Sequence, residues 1–200
     1  MNFLAHLHLA HLAESSLLGN IMADFVRGDP TELFSADIVS GIRMHRRIDV
    51  ETDKHPLVVG AKRFFRPAYR RVAPITLDLI WDHFLSLHWS KIEPELPLTE
   101  FVRQARQQIE PQLSVTPERF QSLNEHLWPQ NWLIRYAEPE YIGASLRGMA
   151  RRRPKLSDLA GSYDDFSAEY AQFEQIFWQF YPQMMQKAIK KQFISEHIKP

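Results

Sequence analysis

The sequence predicts an all-α protein, a single-domain helical bundle formed by residues 1–200. The first observation behind this prediction is the recurrence of apolar residues at spacings of three and four, which places them on one face of a helix. The second is that no segment shows the alternation of a half-buried strand. The third is that turns containing proline separate the apolar segments, and no internal repeat or low-complexity linker divides the chain. At 200 residues the chain is long enough to bury one hydrophobic core.

Five helical segments are predicted in the first half of the chain. The first two form a helical hairpin, because Ser15 or Ser16 can cap the second helix after a break in the apolar pattern. Pro30 suits the first turn of the long third helix, and Pro56 ends that helix because the residue before a proline avoids the helical conformation. The predicted segments span residues 2–13, 17–26, 30–55, 57–66 and 67–88.

Four further helices are predicted in the second half, at about residues 99–110, 117–127, 139–153 and 164–194. The last of them carries an aromatic stripe at helical spacing, and Pro182 is expected to kink it. Aromatic stripes of this kind are usually part of the core, and we interpret this one in that way. The stripe consists of Phe166, Tyr170, Phe173, Phe177, Phe180 and Tyr181.

The long third helix carries a polar stripe on the face that should be buried. Residues four apart share one face of a helix, so His45, Asp49 and Asp53 occupy successive turns. Ile38 and Ile42 precede them at the same spacing and place the stripe in line with an apolar face. Buried carboxylates need a cation, hydrogen bonds or a metal ion. Two explanations remain open: a metal site, or salt bridges to the neighbouring arginines, which are Arg43, Arg46 and Arg47.

A second polar cluster, formed by Asp78, Asp82 and His83, favours the metal site. These residues lie inside a strongly apolar run, and no arginine is close to them in sequence. Divalent ions such as manganese and magnesium prefer carboxylate oxygen with some imidazole nitrogen. Asp24 is a further acid on an apolar helix face, although Arg27 can neutralise it there. The pattern indicates an oxygen-rich hydrolytic metal centre.

Composition excludes several other classes of protein. The chain has no cysteine, which rules out disulfides, zinc-thiolate sites and cysteine nucleophiles and suits a reducing cytoplasm. The formal net charge is zero, which argues against a general nucleic-acid binder. No apolar run approaches the roughly 18–20 residues of a membrane span, and the N-terminus lacks the basic leader of a signal peptide. We therefore expect a soluble, cytoplasmic protein without a membrane or nucleic-acid partner.

Charge is clustered along the chain although it sums to zero. Basic residues concentrate at residues 62–71, 147–155 and 187–191. Clusters of this kind are usually solvated surfaces, and each is also a candidate docking surface for an acidic partner.

Four motifs spread over the chain carry a resemblance to a known family. They are Met-Asn-Phe-Leu-Ala-His at the start, Gly19-Asn20 with Asp24 and Gly28, His45-Arg46-x-Ile48-Asp49 continuing to Asp53 and His55, and Asp78 followed by Asp82-His83-Phe84-Leu85. Together they resemble the acyl carrier protein phosphodiesterases, also called acyl carrier protein hydrolases. The resemblance implies a helical fold distantly related to the HD-domain metal-dependent phosphohydrolases. The chain departs from the usual HD pattern, since its adjacent pair is Asp82-His83 rather than His-Asp.

The resemblance also implies a reaction and a partner. The resemblance implies that a divalent ion, typically Mn²⁺ in this family and with Mg²⁺ or Fe²⁺ as alternatives, assists cleavage of the phosphodiester between 4′-phosphopantetheine and a serine of holo-acyl carrier protein. Such a reaction needs a metal on the nonbridging oxygens, an activated water and a proton for the leaving serine alkoxide. The acidic carrier protein is expected to dock on the basic clusters at 62–71 and 147–155.

The residues expected to perform this chemistry fall into three groups. The predicted metal ligands or their supports lie within residues 1–90 and are His6, Asp24, His45, Asp49, Asp78, Asp82 and His83. The predicted catalytic residues are Asp24, Asp53 and His55, of which the last two can shuttle protons. The predicted substrate-binding residues are Arg43, Arg46, Arg70, Arg71, Arg151, Arg152 and Arg153, which can hold phosphate or the carrier protein.

Two other functions fit the same residues. A related metal phosphohydrolase acting on nucleotides would use the same acids and histidines but would be insensitive to changes in the basic clusters. A non-enzymatic helical binding protein would have salt-bridged acids, no metal ion, and only modest effects from Asp24→Ala or Asp82→Ala.

Overall fold

The computed structural model describes residues 1–194. Twelve α-helices, joined by short turns and 3₁₀ segments, build this part of the chain, and it contains no β-strand. The all-α prediction is therefore confirmed. The helices are α1 (Phe3–Leu12), α2 (Leu17–Met22), α3 (Ala36–Lys54), α4 (Pro56–Ala61), α5 (Ala73–Leu87), α6 (Trp89–Ile92), α7 (Leu98–Ile109), α8 (Glu118–Leu127), α9 (Trp132–Arg135), α10 (Pro139–Arg152), α11 (Leu159–Ala168) and α12 (Tyr170–Ile189).

The long helix α3 begins later than predicted. Pro30 does not open it, because Asp29 forms a local turn in which its carboxylate accepts hydrogen bonds from Thr31 N at 3.1 Å and Thr31 Oγ1 at 2.7 Å. Ser35, with extended backbone at ψ 154°, precedes the first helical residue instead. The predicted end is confirmed, since His55 leaves the helical conformation before Pro56.

The predicted helix over residues 164–194 is two helices in the structure. α11 ends at Ala168 and α12 begins at Tyr170, with Glu169 between them at φ −107° and ψ 22°. The break lets Phe166 and Phe173 pack against each other, with ring centroids 6.1 Å apart. Most of the predicted aromatic stripe is buried, and Tyr170 is partly exposed.

The core is organised around α1, which is apolar on all sides. Leu4 and Leu7 lie on one face of this helix and Leu9 lies on another, and all three are fully buried. A helix that is apolar all round is stable only inside a bundle. It packs against α2, α5 and α12, and the buried residues from Met1 to Phe193 form one continuous cluster. His6, in the middle of α1, is consequently buried as well.

A glycine contact sets the distance between α2 and α3. The Cα atoms of Gly19 and Gly41 meet where the two helices cross, and a Cβ built on Gly19 would lie 2.4 Å from the carbonyl oxygen of Ile38. Only glycine permits this approach. The contact brings the 3₁₀ segment Ala23–Phe25, which follows α2, against the middle of α3.

None of the helices within residues 1–194 combines the length and the apolar character that crossing a lipid bilayer requires.

Candidate metal centre

Two stacked histidines share one carboxylate near the centre of the fold. The rings of His6 on α1 and His45 on α3 stack with centroids 3.7 Å apart and planes inclined by 18°. Asp49, one turn beyond His45, reaches both of them: its Oδ1 lies 3.1 Å from His6 Nε2 and its Oδ2 lies 3.1 Å from His45 Nε2. The imidazoles are almost completely buried, whereas Asp49 is 37% exposed. One edge of the cluster is therefore open to solvent.

Asp24 completes the open edge of this cluster. Its Oδ1 lies 3.3 Å from His45 Nε2, and its side chain is 67% exposed. Asp24 comes from the 3₁₀ segment Ala23–Phe25, which the glycine contact between α2 and α3 holds against His45. The carboxylate therefore faces solvent on one side and the imidazole on the other. We call His6, Asp24, His45 and Asp49 the central cluster.

The pKa values of the two imidazoles in the central cluster are shifted in opposite directions. Burial alone would lower the pKa of His45, but hydrogen bonds to Asp24 and Asp49 raise that pKa to about 9. Burial, and after it the charge on the stacked His45, lowers the pKa of His6 to about 4. Partial burial would raise the pKa of Asp49, but hydrogen bonds from the two histidines hold it well below the usual range. Without a metal ion the pair thus carries one positive charge at neutral pH, on His45.

The shifted histidine predicts how the stability of the metal-free protein depends on pH. A group whose pKa rises from 6.5 to about 9 on folding stabilises the fold fully below pH 6.5, and this contribution is lost as the pH rises to about 9. The full contribution is at most roughly 3 kcal/mol. Urea unfolding in EDTA should give a free energy of unfolding that falls over this range in the wild type, and much less in His45→Gln. An equal fall in both proteins would contradict the assignment.

The donor atoms of the central cluster fit a divalent cation. Two imidazole nitrogens with carboxylate oxygens form the mixed set that manganese, iron and related ions accept. The spacings of 3.1 Å from the Asp49 oxygens to His6 Nε2 and His45 Nε2 match ligands at right angles around an ion with bonds of about 2.1–2.3 Å. Among the described residues, His6, His45 and Asp49 also form the one group of three whose donor atoms all lie within 4.8 Å of one another.

The arginines next to the polar stripe do not supply the salt bridges considered above for Asp49. Arg46 donates to the carbonyl oxygens of Val26 and Gly28 at 2.8 and 2.9 Å. Arg47 donates to the carbonyl oxygens at positions 193 and 194. Arg43 lies 3.5 Å from Asp29 and 3.0 Å from Thr31.

Asp78 lies beside the central cluster rather than in it. Its Oδ1 accepts a hydrogen bond of 2.7 Å from the N-terminal ammonium group of Met1, and the same ammonium group lies 3.4 Å from Asp49 Oδ1. Asp78 is therefore linked to the cluster through one cation. The sequence analysis missed this contact, because the residues around Asp78 give no sign that the amino group of Met1 lies beside it in the fold.

The structure does not bring Asp82 and His83 to the central cluster. Asp82 is fully buried and accepts hydrogen bonds from Leu4 N at 2.7 Å and Ala5 N at 3.0 Å, and burial raises its pKa to about 7. His83 uses both ring nitrogens elsewhere: Nδ1 lies 2.7 Å from the carbonyl oxygen of Tyr136, and Nε2 lies 2.8 Å from the hydroxyl of Tyr170. Both side chains are thus satisfied by other parts of the bundle.

Among the described residues, neither of the two predicted proton shuttles makes a hydrogen bond to the buried imidazoles. Asp53 is exposed near the end of α3. His55 lies past that end, where its Nδ1 accepts a hydrogen bond from Leu57 N and its Nε2 lies 3.3 Å from Gln183 Oε1. Its ring also contacts Phe180 edge-on, with centroids 4.9 Å apart. His55 therefore caps α4 and touches α12.

Comparison with known proteins identifies the family. The model of the family described as acyl carrier protein phosphodiesterase matches residues 1–184. The chain is 64% identical to a protein of that name from Photorhabdus laumondii over 96% of this chain and 98% of the relative. It is 58% identical to the acyl carrier protein phosphodiesterase of Serratia proteamaculans over 96% of this chain and the whole relative. The chain belongs to the acyl carrier protein phosphodiesterase family. The family predicted from the sequence motifs is confirmed.

Membership of the acyl carrier protein phosphodiesterase family makes the chain an enzyme and removes the non-enzymatic alternative. It does not test which residues bind a metal ion. No solved structure matches the chain, so the distant relation of this family to the HD-domain fold stays a prediction.

Proposed function

We propose that this chain is a metal-dependent hydrolase that removes 4′-phosphopantetheine from the serine of holo-acyl carrier protein. The observation that carries the proposal is the carboxylate of Asp49, shared by two buried imidazoles at 3.1 Å in a member of the acyl carrier protein phosphodiesterase family. A divalent ion, of which Mn²⁺ is the best candidate, supplies two effects when bound: it neutralises nonbridging phosphate oxygens and makes a bound water acidic.

The residues of the central cluster divide the remaining work. His6, His45 and Asp49 would hold the ion from the buried side, and the ion would take the place of the proton that His45 carries in the metal-free protein. Asp24 is the most exposed member, so it is the carboxylate within reach of the substrate and its attacking water. In the metal-free protein a hydrogen bond from His45 holds the pKa of Asp24 below its usual value, so this carboxylate is ionised at neutral pH. At the open edge of the cluster it can orient a water.

The reaction is tested by the mass of purified holo-acyl carrier protein after incubation with this protein, with and without Mn²⁺. The proposal predicts metal-dependent loss of one phosphopantetheine group with the wild type and little loss with Asp24→Ala. Unchanged mass in the presence of metal-loaded wild type would contradict the substrate. Release of phosphate from free nucleotides under the same conditions would favour the nucleotide alternative.

The basic clusters at 62–71 and 147–155 support docking of an acidic carrier protein. They adjoin in the fold, because Arg71 donates to the carbonyl oxygen of Lys155 at 2.8 Å and pairs with Asp158 at 3.1 Å. Together they form one docking surface, made of the exposed residues Arg63, Arg66, Arg70, Arg71, Arg151, Arg152, Arg153 and Lys155. Opposite charges across an interface mainly raise the association rate and select the partner.

Charge reversal tests this docking surface. The variant Arg151→Glu, Arg152→Glu, Arg153→Glu should lower kcat/KM for holo-acyl carrier protein about 10-fold or more at low salt, because attraction between the partners is lost. Hydrolysis of a small phosphodiester should be spared. Reversal of Arg103, Arg106 and Arg119, which are exposed on α7 and α8, is the matched control for net charge. Equal loss on both substrates, or an equal effect of the control, would contradict docking on this surface.

A further inference from the structure

Asp82 is a buried carboxylate that the proposed reaction does not use. It lies on α5, is fully buried, and is bonded to the backbone N–H groups of Leu4 and Ala5. Those groups belong to the first turn of α1, where N–H groups lack partners within the helix. Asp82 therefore satisfies two such donors from a different helix.

The first turn of α1 matters because His6 follows it directly. Imidazoles that bind metals normally donate their second ring N–H to another group, which fixes the orientation of the ring. His6 lacks this support: its Nδ1 is buried and has no hydrogen-bond partner within residues 1–194. The position of His6 Nε2 therefore depends on where the backbone of α1 lies and on the stacked ring of His45.

Asp82 is well placed to set that backbone position. Its own helix is fixed in the core by the fully buried neighbours Ile80, Trp81 and Phe84. Its two hydrogen bonds, at 2.7 and 3.0 Å, end on consecutive residues, the second of which adjoins His6. Two hydrogen bonds to consecutive donors restrain both the position of α1 along its axis and its rotation about that axis. We propose that Asp82 is a positioning residue that holds His6 Nε2 at the central cluster through the first turn of α1.

This inference rests on the proposed metal site. Asp82→Asn keeps the size of the side chain, but the amide can accept with only one of its two groups, so one N–H of α1 loses its acceptor. We expect Mn²⁺ to bind about 10–100-fold more weakly, as is typical when a support of a ligand is removed. Saturating Mn²⁺ should restore most of kcat, because the donor atoms themselves are intact.

A double-mutant cycle separates positioning from the alternatives. If Asp82 acts through His6, then Asp82→Asn should weaken Mn²⁺ binding in the wild type but add little in the His6→Ala background. If Asp82 is itself a ligand, or supports the fold in general, its effect should persist in that background. Ser86→Ala is the matched control, since it removes one buried hydrogen bond from the same helix, to the carbonyl oxygen of Ile134. It should change Mn²⁺ affinity in neither background.

Asp82→Glu provides a second variant in case Asp82→Asn does not fold. It keeps the carboxyl group but lengthens the side chain by one methylene group, so it should displace the first turn of α1 and give the same dependence on His6. Additive effects of both substitutions with His6→Ala would overturn the inference while leaving the metal site in place. Absence of Mn²⁺ binding by the wild type would overturn the proposed function as well.

Discussion

Replacement of Asp49 by asparagine should abolish most metal binding and, with it, hydrolysis. The carboxylate contacts both buried imidazoles, and an amide supplies neither the negative charge nor two equivalent oxygens. We expect the Mn²⁺ dissociation constant to rise about 100-fold or more, above the range typical of supporting groups. Isothermal titration calorimetry with Mn²⁺ and the mass of holo-acyl carrier protein measure the two effects.

Asp37→Asn is the matched control for that experiment. Asp37 is an exposed aspartate in the first turn of the same helix, and the central cluster does not include it. The control should bind Mn²⁺ and turn over substrate as the wild type does. Binding of Mn²⁺ by Asp49→Asn with unchanged affinity would rule out Asp49 as a ligand.

Substitution of Gly19 by alanine should cause a large loss of stability for a single added methyl group. The new Cβ would lie 2.4 Å from the carbonyl oxygen of Ile38, and backbone atoms cannot move aside as the end of a flexible side chain can. We expect a loss of about 2–3 kcal/mol in the free energy of unfolding, the usual cost of overpacking. Because α2 must move away from α3, Asp24 should separate from His45 and Mn²⁺ affinity should also fall.

Gly60→Ala is the control for this effect. Gly60 lies in α4, and a Cβ there would meet nothing within 4 Å. The substitution should leave stability unchanged or raise it by up to about 1 kcal/mol, because alanine favours the helix. Urea unfolding of both variants gives the comparison. A loss in Gly19→Ala no larger than in Gly60→Ala would contradict the close crossing of α2 and α3.

The helices could be predicted from the sequence because their stability depends mainly on apolar periodicity. The errors arose at two places where the chain turns without a break in the apolar pattern. Pro30 was predicted to begin the long third helix, but the carboxylate of Asp29 stabilises a turn at this position. The break at Glu169 divides an aromatic stripe that reads as continuous.

The candidate site was predictable in part for a similar reason. His45 and Asp49 are one helical turn apart, so their proximity follows from spacing alone. The approach of His6 and Asp24 depends on packing among α1, α2 and α3, which no local sequence pattern encodes. Asp24 was indicated by its place on an apolar helix face, and His6 by the family resemblance. Asp82 has the same local signature as a metal ligand, an acid in an apolar run. Its partners, however, lie 77 and 78 positions away in sequence.

Direct detection of the ligands tests the central claim. Electron spin-echo envelope modulation of the Mn²⁺-loaded protein with isotope-labelled histidine counts the imidazole nitrogens bound to the ion. The geometry of the central cluster predicts two in the wild type, one in His6→Ala or His45→Ala, and two in His83→Gln. Fewer than two in the wild type, or loss of a nitrogen in His83→Gln with both retained in His6→Ala, would contradict a site built from His6 and His45.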